Sequence, residues 1–326
     1  MTMNKTIVAL LVAISFAAHA ADRQEPTIEN FLAVSGIKAS LDKMPAQIGS
    51  QLFGNMPASV PETTKREVAR GYTEAFPDGS ITAAVTRTLN SEASKIPHLI
   101  SIATTPTSMK MTALELKEPK EKEFRDFAAT IQLKPPAKER VVLLKEILDE
   151  SHAVDMLSTI AFATSESIAI ATSSGCADDV KRIRTELAAR QSAIREGVLS
   201  SAMFSMIFTY RTATDGELRE YLASYRDPDT RVLHAQLAKL AAKEYLSRWK
   251  LFEKTLYRVG ADLSGRSMFA KSCRKTGFAE PAAARAQVVD TVMPTPMRSS
   301  LSGKDVRECL ALTDNVNISS CAQKYQ

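Results

Sequence analysis

The sequence predicts an all-α protein, a helical bundle or array. Only 12 glycines and 14 prolines interrupt its 326 residues, and apolar residues recur at intervals of three and four. No stretch shows the sustained alternation of apolar and polar residues that is typical of a β-strand. We expect four parts: a signal peptide (1–20), two helical units (21–134 and 135–260), and a C-terminal extension (261–326).

The first twenty residues have the pattern of a secretory signal peptide. Lys5 is followed by an apolar run from Ile7 to Ala18, and Ala18 and Ala20 are the small residues of an A-x-A cleavage site. The apolar run of about twelve residues is too short to span a bilayer. We therefore expect cleavage after Ala20, a periplasmic or secreted mature protein, and no transmembrane anchor after cleavage.

The first helical unit opens with an apolar face that runs from Ile28 to Leu52. Pro45 marks a kink or a break within it, because proline lacks the N–H that an interior helical position donates. Val60-Pro61-Glu62 then begins a helix toward Phe76, with proline in the first turn.

Three further signals complete the first unit. Asp78-Gly79-Ser80 stops one helix and caps the next, which runs toward Leu89. A shorter helix around His98–Ala103 ends before Pro106. The charged stretch 117–122 then predicts a surface link.

The second unit begins after Pro135-Pro136 and is more strongly helical. Val141–Leu148 leads into Ala153–Ile170, which is apolar and long enough to suggest a membrane span. Its interior is too polar for a simple span, so we expect a buried central helix. The polar residues are Thr159, Thr164, Ser165, Glu166 and Ser167.

Helix boundaries can be predicted in the rest of this unit as well. An amphipathic helix covers Val180–Gly197, and Val198–Tyr210 follows it. Thr214-Asp-Gly-Glu217 has the spacing of a capping box. Asp227-Pro228 supplies a cap and a first-turn proline for a long helix that ends before Gly260.

The chain contains four cysteines, an even number that favours two disulfides in an oxidising compartment. Three connectivities are possible, and we favour Cys309–Cys321 with Cys176–Cys273. The first bridge would close a helical hairpin in the C-terminal extension. No C-x-x-C motif is present, and no histidine of the mature chain lies at ligand spacing from a cysteine. We expect neither a metal nor a cofactor.

Charge and motifs exclude several function classes. The net charge of +5 is mild, and basic residues alternate with acidic ones, so nucleic-acid binding is not expected. The catalytic motifs G-x-S-x-G, H-E-x-x-H, G-x-G-x-x-G and the P-loop are all absent. His152, near Asp149, Glu150 and Asp155, is the best candidate for a general base. The alternative is a solvated histidine at the start of a helix.

Two segments of the first unit resemble segments of the second unit in sequence. Leu32-Ala-Val-Ser35 matches Leu148-Asp-Glu-Ser151 at an offset of 116 residues, and 98–106 matches 220–228 at an offset of 122. A duplication predicts that each unit contains a helix, a long intervening segment, and two helices joined at a proline. Chance is the alternative, because helical sequences carry little information.

The corner of the second unit resembles a known family. Phe208-Thr-Tyr-Arg211, Thr214–Leu222 and Ser224-Tyr225-x-x-Pro228 are similar to the signature of the secreted bacterial domain of unknown function 2059, which has an aromatic F-Y-x-x-P corner between two helices. The resemblance covers about 190–245 and, more faintly, 28–110. It implies a helical secreted domain without an established activity.

Aromatic and basic residues concentrate at this corner. We expect most of the aromatics to be core or corner packing, and any exposed groove to lie at this corner with Arg211, Arg219 and Arg226. Exposed aromatics beside arginines suit a protein or peptidoglycan-peptide partner. We expect a secreted or periplasmic binding or scaffold protein without catalytic activity, whose partner is another envelope or secreted protein. The alternatives are a cell-envelope hydrolase, or an inhibitor or immunity protein against a secreted toxin. The candidate binding residues are Arg211, Arg219, Tyr221, Tyr225 and Arg226.

Overall fold

The computed structural model describes residues 26–89, 94–118, 120–173 and 177–263, which form thirteen α-helices and no strand. The predicted all-α class is confirmed for this part of the chain. The helices are α1 (Ile28–Val34), α2 (Ile37–Gly54), α3 (Glu62–Ala75), α4 (Ser80–Leu89), α5 (Ile96–Ala103), α6 (Pro106–Leu116), α7 (Glu121–Leu133), α8 (Lys138–Glu150), α9 (Ala153–Ala171), α10 (Ala177–Ala189), α11 (Gln191–Thr209), α12 (Asp215–Arg226) and α13 (Pro228–Leu263).

Several predictions from the sequence fall on residues outside these ranges. They are the signal peptide (1–20), the C-terminal helical hairpin, and both disulfides, because Cys176, Cys273, Cys309 and Cys321 all lie outside the described residues.

Helix starts with a local capping signal are where the sequence predicts them. α3 begins at Glu62 directly after Pro61, and α4 begins at Ser80. The capping box of α12 is present: the Glu217 N–H donates to Thr214 Oγ1 at 3.2 Å, and the Thr214 N–H donates to Glu217 Oε2 at 2.8 Å. These bonds satisfy amides that the first helical turn leaves without a partner.

Of the kink or break predicted at Pro45, the break does not occur. The chain turns instead at Gly36, whose φ of 75° is the left-handed conformation that glycine adopts without strain. α2 then continues through Pro45 to Gly54. Proline lacks the N–H that would donate to the Leu41 carbonyl one turn earlier. The Pro45 carbonyl accepts a hydrogen bond from the Tyr72 hydroxyl at 2.7 Å, which links α2 to α3.

Two other predicted helix ends are also wrong. α10 and α11 are separated at Arg190, and Gly197 lies inside α11. α13 passes through Gly260 to Leu263. Glycine is needed at position 260 for packing, since a Cβ there would overlap the carbonyl oxygen of Ala171 at the end of α9.

The thirteen helices fall into two sets of six, α1–α6 and α8–α13, with α7 between them. In the first set α1 packs against α2, α4 and α5, α2 against α3 and α4, and α5 against α6. The equivalent pairs in the second set make the same contacts: α8 with α9, α11 and α12, α9 with α10 and α11, and α12 with α13. The two sets therefore share helix order and packing.

The matching segments also share backbone geometry. His152 lies 116 residues after Gly36, and its φ of 55° is again left-handed. At the corners, Thr105 caps α6 by accepting from the Ser108 N–H at 3.2 Å, and Asp227 caps α13 by accepting from the Thr230 N–H at 3.0 Å. These local structures repeat at the offsets of 116 and 122 seen in the sequence.

The last helix of each set contributes to the core of the other set. One apolar core combines α1–α5 with α13, which supplies the buried Tyr245, Trp249 and Phe252, and with Ile160 and Ala171 of α9. The other core combines α8, α9, α11 and α12 with the fully buried Met111 of α6 and with Ile131 of α7. The predicted boundary at Pro135-Pro136 lies between α7 and α8, but the two cores are each built from both sides of it.

One helix of the described part, α9, is long and apolar enough to cross a membrane by length and composition alone. It packs against α8, α10, α11 and α13, with the largest contact to α13. The predicted central position is therefore confirmed. Most of its side chains are only partly buried, however, so the prediction of a buried helix is too strong.

A candidate ligand cavity between the two helical sets

A cavity of about 270 Å³ lies between the two sets of helices, and we call it the seam cavity. One part of its wall comes from the turns at Gly36 and Ala153, and another from the corners that follow α5 and α12. Equivalent segments of both sets thus face each other across it.

The two sets contribute different chemistry at equivalent positions of this wall. The first set supplies mostly aliphatic or small side chains where the second supplies aromatic and polar ones, with one acid as the exception. At an offset of 122 residues, the paired wall residues are Leu99 with Tyr221, Ala103 with Tyr225, Thr112 with His234, and Glu115 with Leu237.

Glu115 of α6 is the centre of the polar group in the cavity. Its Oε1 accepts a hydrogen bond from the Tyr210 hydroxyl and another, of 2.8 Å, from the Tyr221 hydroxyl. The Tyr225 hydroxyl lies 3.3 Å from that of Tyr221. Among the described residues, no donor bonds Oε2 and no cation pairs with the carboxylate. One oxygen is anchored and the other is open.

Burial controls protonation in this cluster. It raises the pKa of the Glu115 carboxyl, although the two phenol hydrogen bonds act in the opposite direction. It also raises the pKa of the Tyr210, Tyr221 and Tyr225 hydroxyls, which therefore stay protonated and can donate.

His234 adds a neutral imidazole to the wall. Burial, with a smaller contribution from nearby His152, lowers the pKa of His234 to about 4. Its ring lies 4.7 Å from the ring of Tyr225, centroid to centroid. At neutral pH the imidazole therefore brings hydrogen-bonding capacity and a ring surface, but no charge, into the cavity.

The predicted corner residues separate into an inner and an outer group. Tyr221 is buried, Tyr225 is half-buried, and both line the seam cavity. They are four residues apart on α12, so they share its inner face. Arg219 and Arg226 of the same helix are exposed. These two aromatics therefore pack inside the corner, as expected for most of the aromatics there, and do not share an exposed surface with the arginines.

The outer arginines are engaged with their neighbours. The Arg211 guanidinium lies 3.9 Å above the centre of the Phe208 ring and donates to the Phe208 carbonyl at 2.8 Å. Arg226 pairs with Glu146 at 3.1 Å and with Glu150 at 3.5 Å. These contacts attach the corner to the helices around it.

The carboxylates predicted around His152 are mostly directed elsewhere. Asp149 pairs with Lys145 at 2.6 Å, and Glu150 pairs with Arg231 at 2.7 Å. Only Asp155 faces the imidazole, with 3.9 Å between His152 Nδ1 and the nearer carboxylate oxygen. The left-handed backbone of His152 ends one helix and starts the next, which is a structural role.

A second group of potential ligands lies at the start of α13. His98 Nε2 is 3.1 Å from Asp227 Oδ2, and Asp229 is close to both. Asp227 Oδ1 already accepts from the backbone of the first turn, and Lys95 Nζ lies 3.9 Å from Asp229. A nearby lysine and a helix N-terminus both disfavour a cation, so this group is best described as a helix cap.

Sequence reasoning missed Glu115, Tyr210 and His234 as site residues. Glu115 carries no local signal within α6, and its partners are 95 and 106 residues away. The repeat offset was the available signal, because it aligns the corner of α12 and α13 with the segment that contains Glu115.

Comparison of the chain with protein-family models, with curated proteins and with solved structures gave no match. The resemblance to the domain of unknown function 2059 therefore stays a prediction from the sequence.

Proposed function

We propose that this chain is a secreted, all-helical binding protein that holds a small ligand in the seam cavity. The observation that carries the proposal is a cavity of about 270 Å³ in which Glu115, three tyrosines and His234 converge on otherwise mainly apolar walls. A few convergent polar groups in an apolar cavity are typical of small-molecule sites.

The volume supports an occupant of modest size. An engineered apolar cavity of about 150 Å³ holds a benzene molecule, so the seam cavity has room for a ligand somewhat larger than that. A small molecule is favoured over a protein chain because Tyr221 and Tyr225 face inward. The secreted location rests on the signal-peptide pattern of residues 1–20.

Binding is favoured over catalysis by the way in which the polar groups are used. Tyr210 and Tyr221 both donate to Glu115, and the imidazole of His234 packs on Tyr225. These contacts fix the groups in place around an open space, as the wall of a binding site requires.

Neutral probes test whether the cavity takes a ligand. We expect benzyl alcohol and 1-hexanol to bind the mature protein in ligand-observed NMR. Ala103→Leu fills the cavity from α5 and Ala153→Leu fills it from α9, and both should abolish binding while cooperative unfolding is kept. Ala189→Leu is the matched control, because Ala189 is exposed on α10 and is not among the cavity residues.

Two results would contradict the proposal. One is that the unchanged protein binds neither these neutral probes nor charged probes of similar size. The other is that both filled variants fold and bind as well as the Ala189→Leu control.

A further inference from the structure

Ionisable groups are unevenly distributed around the seam cavity. Those that line it are Lys43, Glu115, Tyr210, Tyr221, Tyr225 and His234. Lys43 is half-exposed and pairs at 3.0 Å with the exposed Glu118. The tyrosines and His234 are neutral at neutral pH. Among the described residues that line the cavity, Glu115 is therefore the one that can carry a negative charge there.

The open oxygen of Glu115 sets the first requirement for a ligand. Oε1 already accepts from two phenols, whereas Oε2 accepts from no described residue. An ionised carboxylate offers about four acceptor sites and no donor. A ligand group that lies against Oε2 of the ionised carboxylate must therefore donate a hydrogen bond or carry positive charge.

The aromatic rings beside this oxygen set the second requirement. The rings of Tyr221 and Tyr225 lie 5.1 Å apart at 85° to each other, and the ring of Tyr210 is 6.1 Å from that of Tyr221. The edge of one ring of the Tyr221–Tyr225 pair therefore covers a face of the other, and a ligand would meet the remaining faces. Faces of aromatic rings attract cations, including alkylated ammonium groups.

From these contacts we propose that the ligand of the seam cavity is an organic cation, with an ammonium head against Glu115 and the tyrosine rings and an apolar tail along the aliphatic wall. The tail would lie against Leu99, Ile102, Leu157 and Leu237. This inference rests on the proposed function and names the chemical class of its ligand.

The proposal predicts a link between binding and proton release. Burial raises the pKa of the Glu115 carboxyl, and a bound cation favours the ionised form instead. Binding therefore releases a proton, and affinity increases as pH rises through the pKa of the unoccupied site. The titratable groups that line the cavity with Glu115 are Lys43, Tyr210, Tyr221, Tyr225 and His234. The three phenols remain neutral in this range, and burial lowers the pKa of His234 to about 4.

Hexyl probes of different charge test the inference. Calorimetric titration of the mature protein with hexylammonium, hexyltrimethylammonium, 1-hexanol and hexanoate compares one tail with four heads. We expect both cations to bind at least about tenfold more tightly than 1-hexanol, which is the size of one charge-assisted contact. Hexanoate should bind most weakly. Titrations in two buffers with different ionisation heats should show proton release for the cations only.

Variants test whether Glu115 and Tyr225 cause the preference for cations over 1-hexanol. Glu115→Gln keeps the shape of the side chain without its charge, and the affinity ratio of hexylammonium to 1-hexanol should fall about tenfold. Glu74→Gln is the control, since Glu74 is exposed on α3 and is not one of the residues that line the cavity. If Glu115→Gln fails to fold, Tyr225→Leu should reduce the same ratio for hexyltrimethylammonium.

The outcomes separate the two proposals. If 1-hexanol binds and the ammonium probes bind no better, the organic-cation inference is overturned and the binding cavity stands. If Glu115→Gln keeps the full preference for cations, the inference is also overturned. If no probe binds, the proposed function itself is wrong.

Discussion

The Tyr221 hydroxyl of α12 donates a 2.8 Å hydrogen bond to the Glu115 carboxylate of α6, across 106 positions of sequence. Tyr210 of α11 donates to the same oxygen. Each bond joins a helix of the first set to a helix of the second at the wall of the seam cavity. The polar cluster is therefore both a link between the two halves and the part of the cavity most able to select a ligand.

Replacing Glu115 with alanine should destabilise the protein. Two phenol hydroxyls lose their acceptor, and we expect the free energy of unfolding to fall by about 1–3 kcal/mol. Urea unfolding followed by the fluorescence of the single tryptophan, Trp249, measures the change. Glu74→Ala removes an exposed carboxylate and should stay within about 0.5 kcal/mol of the unchanged protein. An equal loss in both variants would contradict the role of Glu115.

His234 should make stability depend on pH in a defined window. The folded-state pKa of about 4 is below the ordinary value of 6.5, so the unfolded chain takes up a proton first as pH falls. Above about pH 6.5 His234 does not change the free energy of unfolding. As pH falls from about 6.5 to about 4, His234 lowers the free energy of unfolding, and below about pH 4 the loss stays constant. The cost is on the order of 3 kcal/mol.

The measurement for His234 is a difference between two proteins. Free energies of unfolding from pH 4 to 8 are compared for the unchanged chain and His234→Gln. Glu115 titrates in both, so its effect cancels to first order. Parallel pH profiles would show that the imidazole does not titrate as described.

A pair of glycines tests the packing of α9 on α13. Gly260→Ala should lower the free energy of unfolding by about 1–3 kcal/mol, because the new methyl group overlaps the carbonyl of Ala171. Gly197 lies inside α11 with no heavy atom near its absent side chain. Gly197→Ala should therefore stabilise by about 0.5–1 kcal/mol through helix propensity alone. Thermal unfolding that shifts both variants in the same direction would refute the close approach at Gly260.

Removing α13 should unfold more than the C-terminal half. A chain that ends at Asp227 lacks the three buried aromatic side chains that α13 places in the first core. We expect it to lose cooperative thermal unfolding and to be cleaved by protease within α1–α5. A chain that ends at Leu263 is the control and should keep both properties. Protection of α1–α5 in the shorter chain would show that the first set folds alone.

Much of the fold could be predicted because its signals are local. Pro61, Thr214 and Asp227 each act within one helical turn, and each marks the helix start that the structure shows. Where glycine serves packing instead, as at Gly260, the same residue type misleads, since the neighbour that requires it is on another helix.

The candidate site could be predicted only in part, for the opposite reason. Tyr221 and Tyr225 were visible as a cluster of aromatics, but their direction depends on which face of α12 is covered. Glu115 gives no local sign of its role, because a carboxylate on a helix is usually solvated. Its partners are brought to it because α6 packs against α12 and joins the second core, and no short motif encodes that packing.

The contribution of α13 to the first core also determines when that core can form. α1 begins at Ile28, and the helix that completes its core begins at Pro228. During synthesis the first core therefore stays open until two hundred further residues have left the ribosome, and contacts this distant form late. Residues 1–20 predict export. A chain whose first core closes this late would still be unfolded when it meets a narrow export pore.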